Sequence, residues 1–573
     1  MNMRCARLLA IVASAWMLVT WGCGPQPAAP PAATDAERPR PAVPKKITAA
    51  IMGDPRTLRN VINAAGGSGS VPGLDAVEEL VNVGLALVDN RGRLVPRLAD
   101  EVPTLENGLW RVLPDGRMET TWRLRRTARW HDGTPVVSSD FAFTAAVGQD
   151  RDLPVFRDQM YSLIDRVEAN DAGTVTVHWK KPFIEADTMF STSTTYPLPR
   201  HLLERAFLED KANFTQLPYW HEEFVGTGPY RVREWATGSH LVLGANDGYA
   251  LGRPRVDEIQ VRFIPDSNTL MANILAGAVQ LTLGRSLSLE QAIQVGEQSK
   301  DWRVEASPVN WIAMYPQFLN PTPAVVGNVV FRRAVYQAVE RQQLADSLQG
   351  GLAKVAHSVL IPGEPEFRDV EKSIVRYEFD PRRSVQLIES LAYARGSDGI
   401  FRDTVGHRLS LELRTVKHDL YEKALLAVGD YLARVGVATE PLIIPPPRVN
   451  DREYRAAHPA FEVIENPNDM SRLTRLRLAE TPLPENRFTG RNRVRYMNPE
   501  FDALLEQYFT TIAKVERAKA ASEIIHHMTD QLIWMGLFHQ AEPTVIDNRL
   551  QNVSARQQQS SQAWNAHEWD VVP

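Results

Sequence analysis

The chain has 573 residues, 44% hydrophobic and 23% charged, with 64 basic against 69 acidic side chains and a net charge of −5. This is the composition of an ordinary globular protein, and the length predicts about three domains at ~100–200 residues each. No basic stripe marks a nucleic-acid binder. The two cysteines, Cys5 and Cys23, exclude a disulfide scaffold, a cysteine-rich zinc site and an iron–sulfur cluster.

Arg4 and Arg7 precede an apolar run, residues 8–19, too short to span a bilayer, and Gly22-Cys23 follows. Residues 24–44 are Pro/Ala-rich and aperiodic, which predicts an extended tether. The arrangement resembles a bacterial lipoprotein signal cleaved before a lipidated Cys23, although Thr20 and Trp21 depart from the usual pattern. Residues 1–22 are thus expected to be the signal and 23–46 the tether.

A β-type run at residues 47–52 and a Gly/Ser loop at 66–70 come next. Residues 75–88 read as a helix start running into a strand. Residues 120–124 read as a strand and 130–135 as a compact turn. Ser139 and Asp140 are expected to cap a helix over 141–147. Residues 226–249 predict a hairpin: Gly226-Thr-Gly-Pro229 is a turn whose glycines permit φ > 0, and residues 230–235 and 241–243 are strands around a polar link. Residues 256–264 and 279–283 read as strands, 268–275 as a helix ended by Gly277, and 328–348 as one long helix stopped by Gly350-Gly351. Asp380-Pro381 and Asn498-Pro499 each supply an N-cap and a first-turn proline. Residues 514–528 continue helical, and 559–573 read as a polar tail. Strands alternating with helices argue for an α/β protein, and no short repeat is present.

Catalytic motifs are missing. There is no G-x-S-x-G, H-E-x-x-H, P-loop or G-x-G-x-x-G opening a helix. His526 and His527 are adjacent on a helix and point apart, so they are a poor metal pair. His131-Asp132 in its turn reads as structural. No enzyme, cofactor or metal is expected.

The order of several motifs is more specific. Residues 94–99 (LVPRLA), 121–125 (TWRLR), 128–135 (ARWHDGTP) with Asp140-Phe141, and 226–230 (GTGPY) with Asn246, Tyr249, Arg253-Pro254 and 257–259 (DEI) occur in that succession. Ala276-Gly277, 330–335 (VFRRAV), 338–341 (AVER), 377–381 (YEFDP) and 498–502 (NPEFD) follow. This series resembles the peptide-type family 5 solute-binding proteins of bacterial ABC importers, over about residues 47–553. Two departures stand out: Ala278-Val-Gln280 replaces an acidic pair, and Glu340 replaces an aspartate.

The resemblance implies a periplasmic-binding-protein-like two-lobed α/β fold (class II, cluster C type) with an extra domain inserted in lobe I. Lobe I would comprise residues 47–70, 198–305 and 528–573, the inserted domain 71–197, and lobe II 306–527. Ligand would be enclosed as the lobes close. The diagnostic turns would set backbone geometry, whereas ligand would meet cleft loops at Gly69, Ser70 and Val71, near Tyr161, at Gly284-Arg285, and in residues 458–469, with His458, Glu465 and Asp469 as candidates. Peptide-binding members carry a W-x-x-D element there. This chain has no tryptophan in that stretch, so Asp469 or Glu465 would supply the carboxylate for an ammonium group. Arg472, Arg475 and Arg477 could instead favour an anion, although a shared helix face suggests solvated side chains. The resemblance further implies short peptides, or a related small solute, as ligand, ABC permease and ATPase subunits as partners, an extracytoplasmic monomer anchored through lipid, and no nucleic acid. The alternative is an envelope lipoprotein keeping this fold for signalling or a chaperone-like role. An envelope hydrolase would rest only on the abundant carboxylates.

Overall fold

The two longest strands, Trp302–Pro316 and Met535–Asp547, pair antiparallel, from Trp302 opposite Asp547 to Met314 opposite Met535. They form the centre of a ten-stranded sheet in the computed structural model, which describes residues 44–63, 71–557 and 560–572. On one side of this pair lie Phe461–Pro467, Ser410–Thr415 and the edge strand Ala438–Ile443. On the other lie Leu281–Thr282, Lys46–Ile51, Glu258–Phe263, His240–Ala245 and the edge strand Tyr230–Ala236.

Each half of the long pair serves a different lobe. Ile546 lies opposite Leu281, so the 302–308 and 541–547 halves belong with the Lys46–Ile51 side. Residues 310–316 pair with Phe461–Pro467 on the other side. The ladder slips between Pro308 and Asn310, leaving Val309 as an extra residue. A bulge interrupts the ladder and bends its strand, so the irregularity falls where the chain changes lobe.

Separate apolar cores follow from this layout. One gathers Ile47, Leu80, Trp220, Tyr230, Leu243 and Trp569 under the lobe I strands. Another gathers Phe331, Leu411, Val428, Phe461 and Phe538 in lobe II. The third belongs to a four-stranded sheet in the order Trp110–Val112, Met118–Arg123, Thr174–Trp179, Ile164–Asp171. This core continues onto Phe501, Leu505, Ile524 and Ile525 of helices Pro499–Thr510 and Lys514–Gln531. Six tryptophans (Trp122, Trp130, Trp179, Trp220, Trp311 and Trp569) are among the largest fully buried side chains. The aromatic surplus therefore mostly fills cores.

The family's turns are bolted to one another. Gly226 N–H donates to His131 Nδ1 at 3.2 Å, and His131 Nε2 lies 3.1 Å from the Gly228 carbonyl. The ring is therefore the neutral Nε2–H tautomer, and burial pulls its pKa down to about 4. Trp130 donates to Asp140 Oδ2 at 3.1 Å, and Asp140 also accepts from Val137 N at 3.0 Å and Arg200 N at 3.1 Å. The glycines of 226–230 act differently from expectation. Neither has a positive φ; a Cβ at Gly226 would lie 2.0 Å from the Val81 carbonyl oxygen, and one at Gly228 2.4 Å from the Val81 carbonyl carbon. They permit close approach of two backbones.

Two helices differ from the sequence expectation. The long helix is broken into Val329–Ala338 and Arg341–Gln349. Arg341 turns inward and donates to Tyr336 Oη at 2.7 Å and the Tyr377 carbonyl at 2.6 Å, so the second segment takes a new direction at Glu340. The helix Ser138–Gln149 is capped at Val137, with Asp140 reaching back from its third position. Asp380 and Asn498 cap as expected, accepting from Arg383 N at 2.8 Å and Phe501 N at 2.9 Å. The C-terminal segment returns to lobe I: Asp570–Val571 pairs with Leu550–Gln551, and Asp570 meets Lys45 at 2.5 Å.

Candidate ligand-binding cleft

A cavity of about 1110 Å³ lies where four segments meet. Residues 148–196 supply one wall, helix Leu74–Val81 another, residues 467–491 a third, and Arg556, Ser560 and Ser561 a fourth. Val309, the extra residue of the bulge, also reaches the wall. Small-molecule sites occupy roughly 300–1,000 Å³, so this one stands just past the large end of that range.

The wall is strongly charged, and its charges divide by whether a protein group neutralises them. Asp75 meets Arg556 at 3.2 Å, and Asp469 meets Arg472 at 3.3 Å. Asp469 also caps the short 3₁₀ segment Met470–Leu476, accepting from Arg472 N at 3.1 Å and from the Ser471 hydroxyl. Asp158 caps helix Gln159–Leu163 through Met160 N at 2.9 Å.

Glu185 and Glu79 have no ion pair among the described residues. Burial pushes the Glu185 carboxyl up to about 7, with Asp469, Asp187 and Asp158 adding to the effect and Arg472 opposing it. Burial likewise raises Asp187 to about 6 and Glu79 to about 7. Glu79 Oε1 is buried without a hydrogen-bond partner.

Arg475 is the counterpart on lobe II. It donates to Asn466 Oδ1 at 2.7 Å, and burial, with Arg472 and Arg491 adding, pulls its pKa down to about 10. The cleft therefore holds uncompensated charge of both signs. A ligand carrying a cation or an anion would relieve one or the other.

The residues expected from sequence fall in different places. Tyr161 and Asp469 line the cavity. Tyr161 packs its ring against Gly148, where a Cβ would lie 2.3 Å from it. Gly69 and Ser70 lie outside the described residues, as does Cys23. Val71 is half-buried and accepts from Leu74 N at 3.0 Å, away from the cavity wall. His458 is 1% exposed in lobe II, its Nε2 3.1 Å from the Tyr315 carbonyl, and burial lowers its pKa to about 4. Gly284 serves a tight turn, its N–H donating to Gln562 Oε1 at 2.6 Å.

Arg285 and Glu465 are brought together, 2.7 Å apart, with Arg285 also donating to Tyr421 Oη at 3.2 Å. Neither lines the cavity. They join the turn after Leu281–Thr282 to lobe II, so they clasp the two bodies. The arginines after residue 469 also differ from expectation: Arg472 and Arg475 face the cavity, while Arg477 pairs with Glu506 at 2.6 Å. On a 3₁₀ segment residues three apart eclipse, which puts both on one face.

Glu185, Glu79 and Arg491 carried no sequence signal. Glu185 follows a Pro-Phe-Ile stretch and precedes a single 3₁₀ turn, so nothing in its neighbourhood distinguishes it from 68 other acids.

A family model described as bacterial extracellular solute-binding proteins, family 5 (Middle), matches residues 93–468. A Brucella melitensis protein named for ABC-transporter peptide binding is 24% identical over 477 residues, 80% of this chain and 84% of its own. Among solved structures, the oligopeptide-binding protein AppA of Bacillus subtilis, in complex with a nonapeptide, has a TM-score of 0.72 at 18% identity, covering 93% of this chain and all of AppA. NikA of Brucella suis, in complex with Fe(III)-EDTA, has a TM-score of 0.76 at 17% identity, covering 92% of this chain and all of NikA. With the motif order, the two bodies on a shared sheet and the cavity where they meet, these likenesses establish that the chain belongs to the family 5 bacterial extracellular solute-binding proteins.

Proposed function

We propose that the protein is the solute receptor of an ABC importer, that its ligands are short peptides, and that it delivers them to permease and ATPase subunits as a monomer tethered through lipid on Cys23. The observation that carries this reading is the cavity of about 1110 Å³ walled by both lobes, with charges of both signs left uncompensated. Two bodies that share a bulged strand pair can bend at it, and a ligand touching both would favour the closed form. Peptides are favoured because they carry ammonium, carboxylate and extended apolar parts together, and because a Brucella relative and AppA are named for peptide binding.

Thermal shift and small-angle scattering against peptide, sugar and metal-chelate libraries test the reading. A ligand at 100 times its Kd stabilises the folded protein by about 2.7 kcal/mol, and compaction accompanies it. Absence of both across all three libraries removes the receptor reading. Intact-mass measurement of the protein extracted from bacterial membranes tests the anchor, with Cys23→Ser expected to abolish the lipid adduct.

A further inference from the structure

The segment after Thr174–Trp179 does two things at once. The Ile184 N–H donates to the Phe509 carbonyl at 3.0 Å, and Lys181 forms an ion pair with Glu506, both on helix Pro499–Thr510. The next residue, Glu185, turns into the cavity. The charges acting on it most strongly are Asp469, Asp187 and Asp158, opposed by Arg472, which is already engaged by Asp469 at 3.3 Å. Among the described residues the Glu185 carboxylate has no hydrogen-bond or ion-pair partner. A second carboxylate lining the same cavity, Glu79, is 7% exposed and leaves Oε1 unpartnered, its one side-chain hydrogen bond being to Ser561. The carboxylates expected from sequence are both engaged, Glu465 by Arg285 and Asp469 by its cap and Arg472. Glu185 is half-buried and its oxygens are not among the buried unpartnered atoms, so its unpaired carboxylate stays open to the cavity and can take a cation there.

We propose that Glu185 is the anchor for the ligand's ammonium group, and that this contact couples ligand charge to docking of residues 181–185 on helix Pro499–Thr510. The inference rests on the solute-receptor reading and assigns the specificity-determining residue within it. An ammonium at Glu185 satisfies the carboxylate only while the segment is docked, so a ligand lacking that charge fills the cavity without favouring the docked form.

The test uses an arginine- and lysine-free tripeptide library and its N-acetylated counterpart, with full-length wild type, Glu185→Gln, Glu185→Asp and Asp469→Asn. Retained peptides are identified by mass spectrometry after dialysis. Wild type is expected to retain free-amine peptides at least tenfold over acetylated ones, Glu185→Gln to lose that preference without a fall in melting temperature, and Glu185→Asp to restore part of it. Asp469→Asn, which removes the cap and a repelling neighbour of Glu185, is expected to lower the melting temperature and to keep the preference for free amines. Equal retention by wild type and Glu185→Gln, or of acetylated and free peptides by wild type, overturns the proposal. If wild type retains nothing from the peptide, sugar or chelate libraries, the receptor reading itself falls and takes the anchor with it.

Discussion

Replacing Glu465 by Gln separates a clasp from a ligand contact. Arg285 Nη1 lies 2.7 Å from Glu465 Oε1 and 3.2 Å from Tyr421 Oη, so one guanidinium ties the turn after Leu281–Thr282 to a strand and a helix of lobe II. A buried charge-assisted hydrogen bond contributes about 1.5–3 kcal/mol. Here the side chains are 37% and 22% exposed, so solvent screening brings the figure toward that of surface pairs, to about 1 kcal/mol. A contact made only when the two bodies are closed would favour that arrangement by this energy, and its loss would shift the open–closed ratio about fivefold at RT ≈ 0.59 kcal/mol. Single-molecule energy transfer between dyes on residues 408 and 233 would read the ratio directly, and calorimetry should show affinity falling by a comparable factor. A double-mutant cycle with Arg285→Gln should return a coupling of about 1 kcal/mol. Loss of binding by a hundredfold with the open–closed ratio unchanged would refute the clasp and make Glu465 a ligand contact. No change in either quantity would show that the pair contributes nothing.

Three further outcomes follow from the geometry. Gly226→Ala places a Cβ 2.0 Å from the Val81 carbonyl oxygen, a backbone atom that cannot yield cheaply; the expected loss is about 3 kcal/mol, read as a lower denaturant midpoint. Glu79→Gln should stabilise the ligand-free protein at pH 8 and leave it unchanged near pH 4. The folded carboxyl titrates at about 7, above its unfolded value, so its favourable contribution is complete below about 4.5 and is lost as pH rises through 7; the ceiling is about 3 kcal/mol in chemical denaturation. Lys181→Ala removes the ion pair to Glu506 while leaving the cavity wall intact, and should raise the ligand dissociation rate a few-fold in stopped-flow experiments without altering which peptides are retained.

Much of the fold was legible because its signals are local. Asp380 and Asn498 announce their helices through cap chemistry that needs no tertiary context, and both caps form. The hairpin Tyr230–Ala236 and His240–Ala245 follows from β-branched and aromatic runs around a polar link. The break at Glu340 was not legible, because Arg341 turns inward to reach Tyr377, 36 residues away. The role of Gly226 was hidden for the same reason: what excludes a side chain is Val81, 145 residues earlier. The cleft was least readable of all. Asp469 and Tyr161 were reachable through a family pattern, whereas Glu185 becomes distinctive only when Asp158, Asp187 and Asp469 converge on it from other parts of the chain.

The placement of Glu185 and Arg475 has a consequence for how selectivity arises. Each is perturbed chiefly by burial and next by neighbours of its own sign, and Asp469 and Arg472, the pair at 3.3 Å, act on both. Removing either member of that pair therefore changes both poles together: without Asp469, Glu185 loses a repelling neighbour while Arg475 loses an attracting one. On the proposed receptor reading, a cleft arranged this way would discriminate by the balance of ligand charges as well as by ligand shape. The carboxylate follows Thr174–Trp179, a strand of the four-stranded sheet, and the guanidinium lies on lobe II, so a ligand with one charge would satisfy one of them and leave the other uncompensated. Only a ligand with both charges makes closure favourable from both sides, which is the condition under which affinity for the closed form exceeds that for the open one.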